Sequence, residues 1–153
     1  KGVFMNKEKN LQTAKQANTE ITPYQKEAHE AYMNEDQRDH FRKILRNWKR
    51  SLMEEVDRTI GQMKDDQKRF ADPSDSATQE EEFSIALRTR DRERKLIRKI
   101  DEALERLDNN DYGCCDECGI EIGIRRLEAR PTATLCIDCK SLDEIKEKQT
   151  RSD

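Results

Sequence analysis

Apolar residues are sparse along this chain, but they recur with a clear period. From Asn34 onward, Phe41, Leu45, Trp48, Leu52, Val56, Ile60 and Met63 follow one another at steps of three or four, close to the helical repeat. Asn34, three residues ahead of Gln37, supplies a start signal. The pattern predicts a helix over residues 35–70, roughly 50 Å long at ~1.5 Å per residue. A helix that long with so narrow an apolar stripe calls for a partner. The partner follows the turn Ala71-Asp72-Pro73-Ser74-Asp75, with Phe83, Leu87, Leu96 or Ile97, Ile100, Leu104 and Leu107 on one side. A short turn between two long helices folds them antiparallel, setting Met63 near Ala86 and Leu45 near Leu104. The expected product is an antiparallel coiled-coil arm. Residues 88–95 contain no aliphatic side chain, yet they fall opposite Val56–Ile60. Arginine stems can cover that stretch, and the arm is expected to be weaker there than at its base.

The helical period stops at Asn109-Asn110-Asp111-Tyr112-Gly113, and different chemistry begins. Cys115-x-x-Cys118 and Cys136-x-x-Cys139 are separated by seventeen residues, a spacing that fits a four-cysteine zinc site. Four thiolates close the tetrahedron and leave no position for a reacting water, so the expected Zn²⁺ is structural. Gly119 and Gly123 suit tight turns beside it. Ile120-Glu121-Ile122 and Thr132-Ala133-Thr134-Leu135 read as the strands of a small hairpin. Cys136 opens a last helix to about Gln149, with Leu142 and Ile145 expected inward, and a second CxxC at a helix start resembles a treble-clef finger. Cys114 is a fifth cysteine beside ligand Cys115. The expected fold is mainly α in three parts. Residues 1–33 form a partly irregular segment that Tyr24, Tyr32 and Met33 can pin to the folded region. Residues 34–110 form the arm with its tip at 71–77, and residues 111–153 form the finger and C-terminal helix.

Composition narrows the function. Of 153 residues, 33% are hydrophobic and 41% charged, too few apolar side chains for one large core. A net charge of −3 argues against a nucleic-acid binder steered by total charge. No apolar stretch approaches the ~20 residues of a membrane span, and no signal segment is visible. A cytoplasmic location is expected, where paired CxxC motifs mean metal rather than disulfides. Charge is unevenly placed: Asp65–Glu82 holds seven acids against two bases, and Arg88–Lys99 seven bases against two acids. Asp72, Pro73 and Asp75 can simply cap the second helix, or the paired carboxylates can be cargo at the tip of the arm. The basic stretch is either a solvated helix face or, with Arg125, Arg126, Arg130 and Lys140, a patch for phosphates or an acidic surface. The two histidines, His29 and His40, are far from the cysteines in sequence, and His40 reads as a helix-surface residue. With no Gly-rich phosphate loop either, an enzyme is not expected.

The residues also carry a family resemblance. The tip Phe70-Ala71-Asp72-Pro73-Ser74-Asp75-Ser76-Ala77, the run Gln79–Ser84, and Arg88–Lys99 resemble the DksA/TraR family of zinc-finger transcription factors. Cys118–Thr132 and Leu135–Lys140 do so too, and the likeness runs from Pro23 to Gln149. It implies a bacterial factor that binds RNA polymerase rather than DNA, with its arm in the secondary channel; a hairpin that pairs with itself permits a monomer. With ppGpp as co-regulator, such factors destabilise promoter complexes, repressing ribosomal RNA promoters and activating some amino-acid biosynthesis promoters. By position, Asp72, Asp75 and Ala77 match the functional tip and Arg92 a polymerase-contacting stem residue. Lys99, Arg130 and Lys140 match the residues that form a ppGpp site with polymerase. Ala71 and Ser74 depart from the family tip, and Cys114 lies outside the four ligands. Two other readings remain: a Gre-like stimulator of transcript cleavage whose tip carboxylates hold Mg²⁺, and a DNA-binding finger on a helical spacer, which the acidic tip opposes.

Overall fold

The computed structural model describes residues 21–69 and 76–151, and no side chain between 66 and 76. The expected turn at Asp72–Asp75 therefore lies outside the described residues. Helices run in the order α1 (Glu35–Arg69), α2 (Ser76–Asp108), α3 (Ile124–Ala129) and α4 (Ile137–Thr150). The fold is mainly helical, as the periodicity predicts. Arg42, two turns into α1, donates to the Asp108 carboxylate at the last residue of α2 (3.3 Å), so the two long helices run antiparallel as a coiled-coil hairpin. Two compact units divide the chain, an arm unit containing Arg46–Lys99 and a base unit of Ile21–Leu45 with Ile100–Asp153.

In the base unit, Phe41, Ile44 and Leu45 of α1 are buried, as are Ile100, Ala103 and Leu107 of α2. Tyr112, Ile122 and Leu127 complete that core. Both helix ends facing this core are closed by sequence-coded caps. Asn34 Oδ1 accepts from Gln37 N (2.9 Å), and Gln37 Oε1 reaches back to Met33 N (2.6 Å), a variant of the capping box. At the end of α2, Asn110 adopts φ 58°. Asp111 N then bonds to Arg106 O (2.9 Å) and Asn110 N to Leu107 O (3.4 Å), the two bonds of a Schellman cap.

The arm unit buries Trp48 and Leu52 from α1 and, on α2, Glu93. This corrects the expected register. Phe83 and Leu87 are 44% and 41% exposed, while Ala86 and Arg90 are half-buried and Glu93 is only 5% exposed. Stepping back by sevens from Leu107 and Ile100 reaches Glu93, Ala86 and Gln79, whereas Phe83 lies roughly a seventh of a turn and Leu87 more than a quarter of a turn round the helix. Near the base the same shift buries Ala103 and leaves Leu104 half-covered.

Two further expectations are corrected beyond α2. No strand forms among the described residues; one antiparallel bridge, Cys114 with Glu121, replaces the predicted hairpin. Residues 120–122 fold back on 113–115 instead of pairing with 132–135, because the first CxxC forces a tight reversal. Helix α4 buries no residue, with Leu142 and Ile145 58% and 52% exposed. Its anchor is the cysteine at its N-terminus rather than an apolar face.

Candidate metal centre

The cysteine cluster is built from two backbone reversals. In the first, Gly119 takes φ 73° and donates its N–H to Cys115 O (2.8 Å), while Cys115 N donates to Ile120 O (2.8 Å). Sulfurs 115 and 118 are thereby turned to one side of the loop. In the second, Cys136 is the N-cap of α4 and its sulfur accepts from Cys139 N (3.4 Å), with Lys140 N bonded to Cys136 O (3.0 Å). The loops are laced together by Asp116 N to Thr134 O (2.9 Å) and by Arg126 Nε to Leu135 O (3.1 Å).

The four sulfurs lie within 4.8 Å of one another, and Cys118 Sγ is 3.8 Å from Cys136 Sγ. Sulfurs held ~2.3 Å from one tetrahedral ion would sit roughly 3.8 Å apart, so the cluster fits Zn²⁺. The electrostatics agree. Backbone hydrogen bonding from Cys136, joined by Cys118 and Glu117, lowers the Cys115 thiol to about 6. Hydrogen bonding to Cys136 and Cys118, with burial, pushes Cys139 well up. Four thiols this close cannot all ionise alone; a divalent cation resolves the conflict. Cys114 is exposed and outside the cluster.

The surroundings hold the finger on its base, and most of these contacts were not anticipated from sequence. Arg106, in the last turn of α2, donates to both Asp116 carboxylate oxygens (2.7 and 3.5 Å). It also donates to Asp111 O (3.3 Å) and Cys114 O (3.5 Å). The available signal was a basic residue at a helix C-terminus, which the carbonyls there attract. The Tyr32 hydroxyl lies against Gly113 O (2.8 Å) and Ile122 O, at the root of the first reversal. The buried Tyr112 hydroxyl donates to Pro131 O (2.6 Å). The expectation of a surface position for His40 is corrected, since its side chain is largely covered. Its Nε2 lies 2.9 Å from Glu128 Oε1, which also accepts from Tyr24 N (2.6 Å).

The other sequence-derived site residues are spread over both units and the undescribed turn. Asp72 and Asp75 lie outside the described residues. Ala77, Arg92 and Lys99 are exposed along α2 in the arm unit. Arg130 is exposed as the C-cap of α3, and Lys140 sits in the first turn of α4, both in the base unit. Lys140 Nζ donates to Asp143 Oδ2 (2.9 Å), and this hydrogen bond raises its pKa.

Comparison with known proteins agrees with this architecture. Residues 37–107 match the family described as DnaK suppressor protein DksA, N-terminal domain, and residues 110–144 match the prokaryotic dksA/traR C4-type zinc finger. Over 129 residues the chain is 60% identical to the RNA polymerase-binding transcription factor DksA of Escherichia coli K12, covering 84% of this chain and 85% of that protein. The chain belongs to the DksA family. The Buchnera aphidicola DksA is 55% identical over 148 residues, covering 95% and 98% of the two chains. The solved structure of the transcription factor DksA2 from Pseudomonas aeruginosa superposes with a TM-score of 0.74 at 46% identity, over 81% of this chain and 94% of that one. As a DksA-family C4 finger, the cysteine cluster is the site of one structural zinc. No helix among the described residues is long and apolar enough to cross a membrane.

Proposed function

We propose that this protein is a non-enzymatic regulator of transcription initiation that enters the secondary channel of bacterial RNA polymerase. With ppGpp it destabilises promoter complexes, repressing ribosomal RNA promoters and activating some amino-acid biosynthesis promoters. The observation that carries this reading is the 60% identity to a protein named as an RNA polymerase-binding transcription factor, extending across arm and finger alike. The chemistry supports it. The zinc cluster has no open position for a reaction, and the arm is a hairpin of two helices of 35 and 33 residues, suited to reach rather than to catalyse.

In this reading Asp72, Asp75 and Ala77 act at the tip and Arg92 contacts polymerase from the stem. Lys99, Arg130 and Lys140 supply cations for the pyrophosphates of ppGpp, where charge-assisted contacts are strongest. The hydrogen bond to Asp143 keeps Lys140 cationic and restricts its ammonium. The zinc, when bound, supplies no chemistry beyond holding the loops that carry Arg130 and Lys140.

The decisive measurement is the lifetime of a ribosomal promoter complex with purified polymerase, with and without ppGpp. The wild-type protein should shorten it and ppGpp should deepen the effect. Asp75→Asn should still bind polymerase yet lose the effect on lifetime, and Lys99→Ala should keep basal activity yet lose the synergy. Unchanged repression by Asp75→Asn would sink the tip assignment, and release of 3′ fragments from backtracked complexes would favour the Gre-like reading.

A further inference from the structure

Helix α2 places its inward positions seven residues apart: Gln79, Ala86, Glu93, Ile100 and Leu107. Ile100 and Leu107 are fully buried aliphatics, and Ala86 and Gln79 are half-covered. Between them the row is interrupted by a carboxylate that is 5% exposed. Its Oε2 has no hydrogen-bond partner and no contact with solvent, and neither has Nε of Arg90, one turn earlier. Burial pushes the Glu93 carboxyl above its usual range, the Glu55 charge on α1 adds to this, and Arg90 offsets part of it. On α1 the half-covered positions of this layer include Glu55 and Thr59 as well as Val56.

A buried carboxylate with an unsatisfied oxygen and only partial compensation from Arg90 costs more than an aliphatic in the same place, and a polar residue at a seam position of a coiled coil lowers stability locally. On α2 itself residues 88–95 offer no aliphatic side chain to make up the loss. Local opening of a native structure follows such deficits. We propose that the arm has a built-in opening point at the Glu55–Glu93 layer, where α1 and α2 part transiently while the rows at Trp48 and Leu52 stay closed. The arm is then an articulated lever, and the part beyond Glu93 can change direction without loss of the helices. This goes beyond the polymerase reading and stands or falls without it.

Hydrogen–deuterium exchange on the full-length, zinc-loaded protein tests it. Amides of residues 54–60 and 88–96 should exchange at least tenfold faster than those of 40–47 and 100–107. Glu93→Leu should slow the middle segment about tenfold and leave the base unchanged. Glu93→Gln, which removes the charge and keeps the shape, should slow it by an intermediate factor. Equal protection along both helices in the wild type overturns the proposal. So does a Glu93→Leu protein whose middle segment exchanges as before, or whose slowing is spread evenly over α1 and α2.

Discussion

Gly113 shows how much of the finger's seating depends on one missing side chain. Its φ of 95° lies in the region that L side chains avoid, and a Cβ there would sit 2.6 Å from Met33 Cε and 2.8 Å from the Tyr32 hydroxyl. Its carbonyl accepts from that hydroxyl and from Ile122 N (2.7 Å), so the N-terminal segment and the first cysteine loop meet on it. Gly113→Ala must strain the backbone and displace Tyr32 together, a cost of about 1–3 kcal/mol. A thermal melt should show a lowered midpoint, and zinc should be lost to a chelator faster than from the wild type. A variant that matches the wild type in both would mean Tyr32 has no part in holding the loop. Sequence pointed to Gly119 and Gly123 as turn residues. Gly119 is indeed left-handed, but Gly123 is an ordinary N-cap with φ −55°. The need for Gly113 arises from residues 32 and 33, eighty positions away, and no local pattern announces a contact at that separation.

At the scale of the helices, periodicity was enough to find α1 and α2 and not enough to orient α2. The start of α1 was legible because a cap is local: Asn34 and Gln37 carry the whole signal, worth about 1 kcal/mol. The register of α2 is hidden because the large apolar Phe83 and Leu87 lie off the seven-residue row through Glu93. A glutamate at a seam position contradicts its own polarity, so sequence reasoning turns it outward by default. Its burial makes a pH-dependent prediction. The folded pKa of Glu93 is raised above the ordinary 4.5, through burial first and the Glu55 charge second. The folded arm therefore holds the proton more tightly than the unfolded chain, and this residue's contribution to stability falls as pH rises through that raised value. Glu93→Gln should melt about 2–4 °C above the wild type at pH 8, as expected for ~1 kcal/mol in a chain of this size. The gap should narrow as pH falls through the raised value, where the wild-type carboxyl takes up its proton. Circular dichroism melts from pH 8 down into the acid range are the check, and a gap independent of pH would show that folding does not raise the Glu93 pKa.

For the whole molecule, the division of labour between metal and helices sets what zinc removal does. The cysteine quartet was fully legible, because metal-ligand spacing is written in the chain and the structure brings those four sulfurs together while leaving Cys114 out. The means by which the finger is fixed was less legible. The exposed Leu142 and Ile145 show that α4 is not docked by an apolar face. Its first turn is held by Cys136, and the finger is tied to α2 by Arg106 through Asp116. Structural zinc in a unit this small contributes on the order of 10 kcal/mol, far more than those polar contacts supply. The two long helices, by contrast, supply Phe41, Ile44, Leu45, Ile100 and Leu107 to the base core themselves, and the finger adds only Tyr112, Ile122 and Leu127 to it. Strong chelation should therefore release one zinc per chain and abolish the protection of amides between residues 113 and 140, while most of the helical circular dichroism survives. Cys115→Ser should reproduce that state without chelator. Loss of the whole helical signal on chelation would show instead that the hairpin cannot stand without its finger. Full retention of amide protection would show that the protein contacts alone hold the loops.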